Sequence, residues 1–233
     1  MDLELAAHHD ASTTSVRERL LFLRSETDRV CRSLGREPGS VRVLAVTKRQ
    51  PRAAVLAAID AGLEDVGENY LQEARAKYEG LPAVRKHFIG HIQTNKAKAI
   101  AETFDVVQSV DRLDAGRALA RAARTIGKPL AVLVQVNISP AERFGAMPSE
   151  APQLAADLRA LDLNVDGVMA IGPITADRDE IRRAFALAAA TFERVGGATL
   201  SLGMSDDWEL ALAAGSTMIR LGTRLFGPRS IPA

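Results

Sequence analysis

An amine at the end of an apolar run is the first feature of this chain with a clear chemical meaning. The run occupies residues 41–47, Val-Arg-Val-Leu-Ala-Val-Thr, and Lys48 follows it directly. This pattern predicts a buried strand with Lys48 at its carboxyl tip. An amine partly shielded from water can lose its proton near neutral pH and attack an aldehyde. The alternative is an ordinary solvated lysine, and Lys48 alone does not distinguish the two.

Two segments nearer the end of the chain have the composition of phosphate-binding loops. They occupy residues 201–205, Ser-Leu-Gly-Met-Ser, and residues 220–223, Arg-Leu-Gly-Thr. Glycine lets backbone N–H groups approach an anion, and hydroxyl groups add hydrogen-bond donors. Asp206 and Asp207 would repel a phosphate and instead fit a turn that caps the next helix. Taken with Lys48, the two loops indicate pyridoxal phosphate (PLP), which has both an aldehyde and a phosphate.

Arg220 is predicted to face the interior of the fold. Side chains alternate along a strand, so Met218, Arg220 and Gly222 would share the inner face. A buried arginine keeps its charge and needs a partner. That partner is either a carboxylate in a structural ion pair or a heteroatom of a ligand.

Asn69 and two histidines are further polar residues beside apolar runs. Asn69 follows the second run and could lean against a planar ring, whereas Glu73 is expected to face solvent. His87 and His91 would lie on one strand face, but no third ligand follows at a recognisable spacing. We therefore predict no metal site.

The bulk composition excludes several classes of protein. The chain has 233 residues, of which 47% are hydrophobic, enough for one substantial core. Lys and Arg number 30 against 29 Asp and Glu, and aromatic residues make up 4%, so we predict no nucleic-acid partner. Cys31, the single cysteine, excludes an internal disulfide and fits a reducing compartment. No signal sequence or membrane-length apolar segment is evident, so we expect a cytoplasmic protein that does not enter a membrane.

Eight apolar runs alternate with helical stretches along the chain. The runs occupy residues 41–47, 63–67, 87–90, 106–109, 131–137, 165–171, 199–202 and 218–221. This alternation predicts parallel strands and an α/β fold, a single (β/α)8 TIM barrel. The competing fold is a doubly wound open sheet, which usually has a glycine-rich turn after its first strand. Residues 47–51, Thr-Lys-Arg-Gln-Pro, contain no such turn.

The predicted barrel also fixes the domain organisation and the place of the site. We expect a flexible tail over residues 1–14 and one domain over residues 15–233, in which an extra N-terminal helix over residues 15–34 precedes the barrel. TIM barrels carry their sites at the carboxyl ends of the strands. The polar residues that interrupt the apolar runs should therefore meet on one face together with the two phosphate-type loops. They are Lys48, Glu68, Asn69, His91, Ser109 and Asn137.

Six ordered segments resemble the YggS/PROSC family of PLP homeostasis proteins. They are LAVTK at 44–48, GENY at 67–70, HFIG at 87–90 followed by QTNK at 93–96, QVNI at 135–138, SLGMSDD at 201–207 and RLGT at 220–223. The resemblance covers residues 41–229 and implies a barrel similar to the N-terminal domain of alanine racemase. Two departures occur: residues 142–145 are Glu-Arg-Phe-Gly where the family often has a lysine before the glycine, and His91 replaces a small residue or proline.

The resemblance implies roles for seven residues. Lys48 would hold PLP covalently as a Schiff base, Asn69 would lie beside the ring, and Arg220 would contact the ring nitrogen. The phosphate contacts would fall on Ser201, Ser205, Gly222 and Thr223.

An arginine at the ring nitrogen leaves that nitrogen unprotonated and weakens the carbanion stabilisation that many PLP enzymes use. Lys48 is also the one clear candidate base, whereas a racemase needs two. We therefore expect a monomeric protein that holds PLP reversibly, buffers it and delivers it to PLP-dependent apoenzymes, without substantial amino-acid turnover. The alternatives are a PLP-dependent amino-acid racemase or lyase and, more remotely, a phosphate-binding barrel with another substrate, such as a sugar-phosphate isomerase.

Overall fold

The computed structural model describes residues 15–139 and 144–227, in which eight strands close into a parallel barrel. The strands are β1 (Arg42–Val46), β2 (Asp65–Glu68), β3 (Arg85–Phe88), β4 (Val106–Val110), β5 (Ala131–Val136), β6 (Asn164–Ala170), β7 (Thr199–Ser201) and β8 (Met218–Leu221). β8 pairs with β1, with Arg220 opposite Leu44, so the sheet has no edge. The predicted (β/α)8 TIM barrel is confirmed, and the doubly wound open sheet is wrong.

The described residues also form nine α-helices, which alternate with the strands. They are α1 (Val16–Ser33), α2 (Arg52–Asp60), α3 (Leu71–Tyr78), α4 (Ala97–Thr103), α5 (Leu113–Ile126), α6 (Ala151–Ala160), α7 (Arg178–Val195), α8 (Trp208–Ala213) and α9 (Thr223–Phe226). α1 is the predicted helix in front of the barrel. It begins with a capping box, in which Ser15 Oγ accepts from the Glu18 N–H and the Glu18 carboxylate accepts from the Ser15 N–H.

The strands bury different residue types on their two sides. Towards the helices lies an apolar core that includes Val66, Val107 and Val134. On the inner side, β4 and β7 are not neighbours in the sheet, so the hydrogen bond between Gln108 and Ser201 crosses the barrel interior. The interior is therefore partly polar, and its polar groups extend to the site described below.

Several features bear on the other sequence predictions. Cys31 is a buried free thiol within α1. No helix in residues 15–139 or 144–227 is long and apolar enough to cross a membrane. Within those residues, no group of three or more His, Cys, Asp or Glu side chains is arranged to hold a metal ion. The predicted tail, residues 1–14, falls outside the described residues, and the single-domain assignment of residues 15–233 stays a prediction.

Candidate functional site

The predicted site residues lie at the carboxyl ends of four neighbouring strands, β7, β8, β1 and β2. The β1–β2 register, with Val46 opposite Gly67, places Lys48 level with Asn69. The β1–β8 register places Gly222 beside Val46. The barrel therefore brings these parts of the chain to one end, where sites occur in this fold.

Lys48 lies half-buried in a turn. Side chains of α3 form hydrogen bonds with the backbone of the residue before Lys48 and of the residue after it. Before it, Lys77 Nζ donates to the Thr47 carbonyl at 2.6 Å. After it, the Arg49 N–H donates to Glu73 Oε2 at 2.9 Å. Arg49 has a φ of 60°, a left-handed conformation that costs a residue with a side chain roughly 1–2 kcal/mol. The two bonds fix the backbone from which the Lys48 side chain extends.

An ion cluster joins α3 to β2, with Glu68 and Lys77 buried and Glu73 partly exposed. Lys77 Nζ lies 2.7 Å from Glu68 Oε2 and 3.0 Å from Glu73 Oε2. Thr47 Oγ1 lies 2.7 Å from the Tyr78 hydroxyl, and burial raises the pKa of Tyr78 well above its ordinary value, so that hydroxyl keeps its proton. Glu73 is partly exposed, in line with the expectation that it faces solvent, but its carboxylate pairs with Lys77 and accepts from the Arg49 N–H.

Asn69 carries a buried acceptor without a partner. Its N–H donates to Glu68 Oε1 at 2.8 Å, which fixes the backbone at the end of β2. Its Oδ1 is buried and has no hydrogen-bond partner among the described residues. Such an oxygen costs about 1–3 kcal/mol, which a donor on a ligand would recover. A cavity of about 240 Å³ is lined by Asn69 together with Tyr70, His91 and Lys96, and Asn69 is the one predicted site residue in its lining.

Arg220 is buried inside the barrel, as the alternation along β8 predicts. Its guanidinium donates to the Ser201 carbonyl at 2.7 Å, to Ser201 Oγ at 2.9 Å and to the Ala170 carbonyl at 2.8 Å. These partners are uncharged oxygens rather than the carboxylate of a structural ion pair. Burial lowers the pKa of Arg220 to about 10, partly offset by Asp207, so the guanidinium stays protonated at neutral pH.

A chain of hydrogen bonds continues from Ser201 across the barrel interior. Ser201 Oγ donates to Gln108 Oε1 at 2.8 Å, and Gln108 Nε2 lies 2.9 Å from His87 Nδ1. His87 Nε2 lies 2.7 Å from Asp65 Oδ1. Because the Gln108 amide nitrogen donates, His87 accepts at Nδ1 and carries its proton at Nε2, as a neutral ring. Burial lowers the pKa of His87, which agrees with this form.

The two histidines do not share a strand face, so that part of the sequence interpretation is wrong. β3 ends at Phe88, which leaves His87 inside the barrel and His91 exposed in the following loop. His91 stacks on Phe144, with ring centroids 4.1 Å apart. Both residues belong to the departures from the family pattern, and the fold brings them into contact. Glu142 and Arg143 fall outside the described residues.

The two predicted phosphate loops meet through their hydroxyl groups. Ser205 Oγ and Thr223 Oγ1 are 3.2 Å apart. Gly203 has a φ of +90°, and a Cβ there would lie 2.6 Å from a side chain of α8, so the fold itself requires this glycine. A Cβ on Gly222 would meet nothing nearer than Val46 at 3.6 Å. The fold does not require glycine at this position, and the missing side chain leaves room for a ligand.

Asp207 closes the first of these loops. Its Oδ1 accepts from the Met204 N–H at 2.6 Å, and its side chain makes no capping bond to α8. Burial raises the pKa of Asp207, while the Met204 N–H and Arg220 lower it. The alternative interpretation, in which these aspartates cap the helix, is therefore wrong for the Asp207 side chain, which bonds to the loop and not to an N–H of α8.

Two supporting residues, Gln108 and Lys77, were not found from the sequence. Gln108 occupies an inner position of β4, and a polar residue in an otherwise apolar run was the available signal. Lys77 is buried, yet local sequence gives no sign of it, because Lys77 lies four residues after Glu73 and resembles a member of a surface ion pair. The place of Glu68 at the end of the second strand was predicted, but its buried pairing with Lys77 was not.

Comparisons with known proteins show which family the chain belongs to. Residues 23–230 match the family model described as the alanine racemase N-terminal domain. The chain is 42% identical over 227 residues to a PLP homeostasis protein of Pseudomonas aeruginosa, covering 94% of this chain and 98% of the relative. Identity to the Escherichia coli K12 protein of that name is 38% over 229 residues, covering 92% and 97%.

A solved relative also contains the ligand suggested by the sequence. The structure of PipY from Synechococcus elongatus PCC7942 was determined with PLP bound. It superimposes with a TM-score of 0.78 at 35% identity, covering 91% of this chain and 100% of PipY. The closed barrel, the six ordered motifs and these similarities along most of the chain lead to one conclusion. The chain belongs to the family of the alanine racemase N-terminal domain and, within it, to the PLP homeostasis proteins.

Proposed function

We propose that this protein binds PLP reversibly at the carboxyl end of its barrel, with Lys48 as the covalent attachment point, and buffers or carries PLP in the cell. The observation that carries the proposal is the grouping of an amine, a buried cation and a hydroxyl pair on adjoining strand ends. These are Lys48, Arg220, and Ser205 with Thr223. The aldehyde, ring nitrogen and phosphate of PLP call for this set of partners. PipY, solved with PLP bound, supports the choice of ligand.

The described residues fit PLP in further respects. When bound, PLP supplies an aldehyde that an amine can attack, and Lys48 Nζ is that amine. Asn69 would lie beside the ring, where its unpaired Oδ1 would find a donor. Arg220 would donate to the ring nitrogen. The phosphate contacts are assigned to Ser205, Gly222 and Thr223. Ser201, which the family resemblance also assigns to the phosphate, donates its hydroxyl proton to Gln108 and would instead support Arg220.

Arg220 disfavours amino-acid chemistry at this site. Its pKa of about 10 keeps the guanidinium a donor at neutral pH, so a ring nitrogen that accepts from it stays unprotonated. An unprotonated ring withdraws electrons weakly and stabilises a carbanion poorly. The site therefore suits holding the cofactor better than turning over amino acids.

Two side chains that contact the Lys48 turn are poor candidates for the second base that a racemase needs. Tyr78 has a raised pKa because of burial, and its hydroxyl is bonded to Thr47 Oγ1. Lys77 is paired with the carboxylates of Glu68 and Glu73. Lys48 thus remains the candidate amine, and it would be occupied by PLP.

The test is to load the purified protein with PLP and follow three signals. We expect a visible absorption band, transfer of PLP to a PLP-dependent apoenzyme, and α-proton exchange of L-alanine in deuterated water far slower than about 1 s⁻¹. Exchange at about 1 s⁻¹ or faster would contradict the carrier function and favour a racemase or lyase. Absence of a visible band would favour a phosphate-binding barrel with another substrate.

Other aspects of the function stay predictions. We propose a cytoplasmic monomer with one domain over residues 15–233, which transfers PLP to apoenzymes. The molar mass from light scattering, measured with and without PLP, tests whether the protein is a monomer.

A further inference from the structure

The turn that carries Lys48 is held by side chains that are not assigned to the cofactor. Lys77 Nζ meets three oxygens, the Thr47 carbonyl at 2.6 Å, Glu68 Oε2 at 2.7 Å and Glu73 Oε2 at 3.0 Å. An ammonium group has three N–H donors, so all of them are used within the cluster. Lys77 therefore has no donor left for a ligand, and its contacts are internal.

Glu73 is the member of the cluster that reaches the far side of the turn. Its Oε2 accepts from the Arg49 N–H at 2.9 Å as well as from Lys77. The φ of 60° at Arg49 is one that residues with a side chain rarely adopt. A hydrogen bond from a backbone N–H to a carboxylate is stronger than one to a neutral oxygen. The Glu73 carboxylate thus opposes relaxation of Arg49, which would swing Lys48 away from its position.

Glu68 extends the same hold to β2. Its Oε1 accepts from the N–H groups of Asn69 and Tyr70, at 2.8 Å and 3.3 Å, while its Oε2 faces Lys77. One cluster therefore fixes the backbone under both Lys48 and Asn69. Burying charged groups is costly even when they are paired. In return, the cluster fixes the backbone at Lys48 and Asn69, two predicted site residues.

We propose that Glu73, acting with Lys77 and Glu68, is a positioning residue for Lys48. It sets the turn so that Lys48 Nζ reaches the aldehyde carbon of bound PLP. The inference rests on the proposed function, in which a C=N bond from Nζ replaces the aldehyde C=O and water leaves. Glu73 is distinct from the ring and phosphate contacts. Its loss should impair formation of the covalent bond while sparing the binding of the ring and phosphate.

The test compares PLP with pyridoxine 5′-phosphate, which has the same ring and phosphate but an alcohol in place of the aldehyde. In Glu73→Ala we expect PLP to bind about tenfold more weakly, because a misplaced amine reacts poorly. Pyridoxine 5′-phosphate should stay within about twofold of its wild-type affinity. Glu73→Gln keeps an oxygen for the Arg49 N–H and should regain most of the PLP affinity. Glu79→Ala, which removes an exposed carboxylate directly after α3, should change neither ligand.

Equal weakening of the two ligands, or no change in either, would overturn the positioning role. If Glu73→Ala does not fold, Glu73→Asp is measured in its place. It keeps the charge beside Lys77 but draws the carboxylate back from Arg49 by about 1.5 Å, one C–C bond. Selective weakening of PLP in that variant supports the proposal, and parallel weakening or none overturns it.

Lys48→Ala separates this inference from the proposed function on which it rests. A visible band that survives in Lys48→Ala would defeat the assignment of Lys48 itself. If Lys48→Ala loses the band while the Glu73 variants weaken PLP and pyridoxine 5′-phosphate equally, the positioning role of Glu73 is contradicted and the assignment of Lys48 stands.

Discussion

Ser205 and Thr223 lie 18 residues apart in the sequence, yet their hydroxyl oxygens are 3.2 Å apart at the carboxyl end of the barrel. Ser205 belongs to the loop after β7, and Thr223 is the first residue of α9. The contact therefore joins the two loops whose composition suggested a phosphate site. Two hydroxyl groups from different loops can donate to one anion, whereas Ser201 is bonded into the barrel interior.

Removing either of these hydroxyls should weaken PLP more than unphosphorylated pyridoxal. For Ser205→Ala and Thr223→Ala we expect a loss of about 1.5–3 kcal/mol in PLP binding free energy, because each loses a hydrogen bond to a charged group. Titration of the visible band with both ligands measures the difference. Thr125→Ala, which removes an exposed hydroxyl on α5, is the control. Equal weakening of the two ligands would place the hydroxyls away from the phosphate.

Two glycines of the phosphate loops should respond differently to alanine. Gly203→Ala forces a left-handed φ of +90° on a residue with a side chain and a 2.6 Å contact with α8, so we expect a stability loss of about 1–3 kcal/mol. Gly222→Ala meets no close protein atom, so its stability should stay within about 0.5 kcal/mol of wild type. Its PLP affinity should nevertheless fall. Urea denaturation and PLP titration measure both, and unchanged PLP affinity in Gly222→Ala would remove this residue from the site.

Ser201→Ala should cost stability as well as cofactor affinity. Ser201 Oγ donates to Gln108 and accepts from Arg220 in the barrel interior. Its removal leaves Gln108 Oε1 buried without that partner, at a cost of about 1–3 kcal/mol. Ser205→Ala, at a less buried position, should leave the unfolding free energy nearly unchanged. If urea denaturation of the apoprotein shows equal stability for the two variants, the support that Ser201 gives to the interior is contradicted.

His87 should make the fold less stable in mild acid. Burial lowers the pKa of His87 below its ordinary value of 6.5, so the unfolded chain binds more protons than the folded one as the pH falls below 6.5. The stability due to the neutral ring is complete above that pH and is lost as the pH falls towards the lowered pKa. Between about pH 7 and pH 5.5, His87→Gln should therefore lose less stability than wild type does.

The control for this pH effect is His91→Gln, which removes an exposed imidazole. It should show the same loss of stability as wild type over that pH range, measured by urea denaturation. The carboxylates that titrate in acid are common to all three proteins. An identical loss in wild type, His87→Gln and His91→Gln would contradict the role of the His87 ring.

The barrel was predictable because each strand has a local signal. The apolar run predicted at residues 218–221 has the same bounds as β8. The run predicted at residues 106–109 is one residue shorter than β4. The inner position of Arg220 follows from alternation within its own strand. Lys48 likewise follows from its place at the end of β1. These inferences need only the sequence within a few residues of each site.

The contacts that support the site were not predictable in this way, because they join distant parts of the chain. Gln108 and Ser201 are 93 residues apart and meet only because the barrel closes. Glu73 and Lys77 have the spacing of an exposed helical pair. Only the packing of α3 against the ends of β1 and β2 buries Lys77 and brings the Glu73 carboxylate to the Arg49 N–H.

The attachment of PLP at Lys48 is tested most directly by trapping it. Borohydride reduces the bond between Nζ and the aldehyde carbon to a stable secondary amine, and mass spectrometry of the digested protein identifies the labelled lysine. We expect the phosphopyridoxyl group on Lys48 of the wild-type protein. We expect no stable label in Lys48→Ala, which should keep its fold because a half-buried side chain in a turn contributes little packing. A label on Lys96 or any other lysine of the wild-type protein, in place of Lys48, would contradict the assignment.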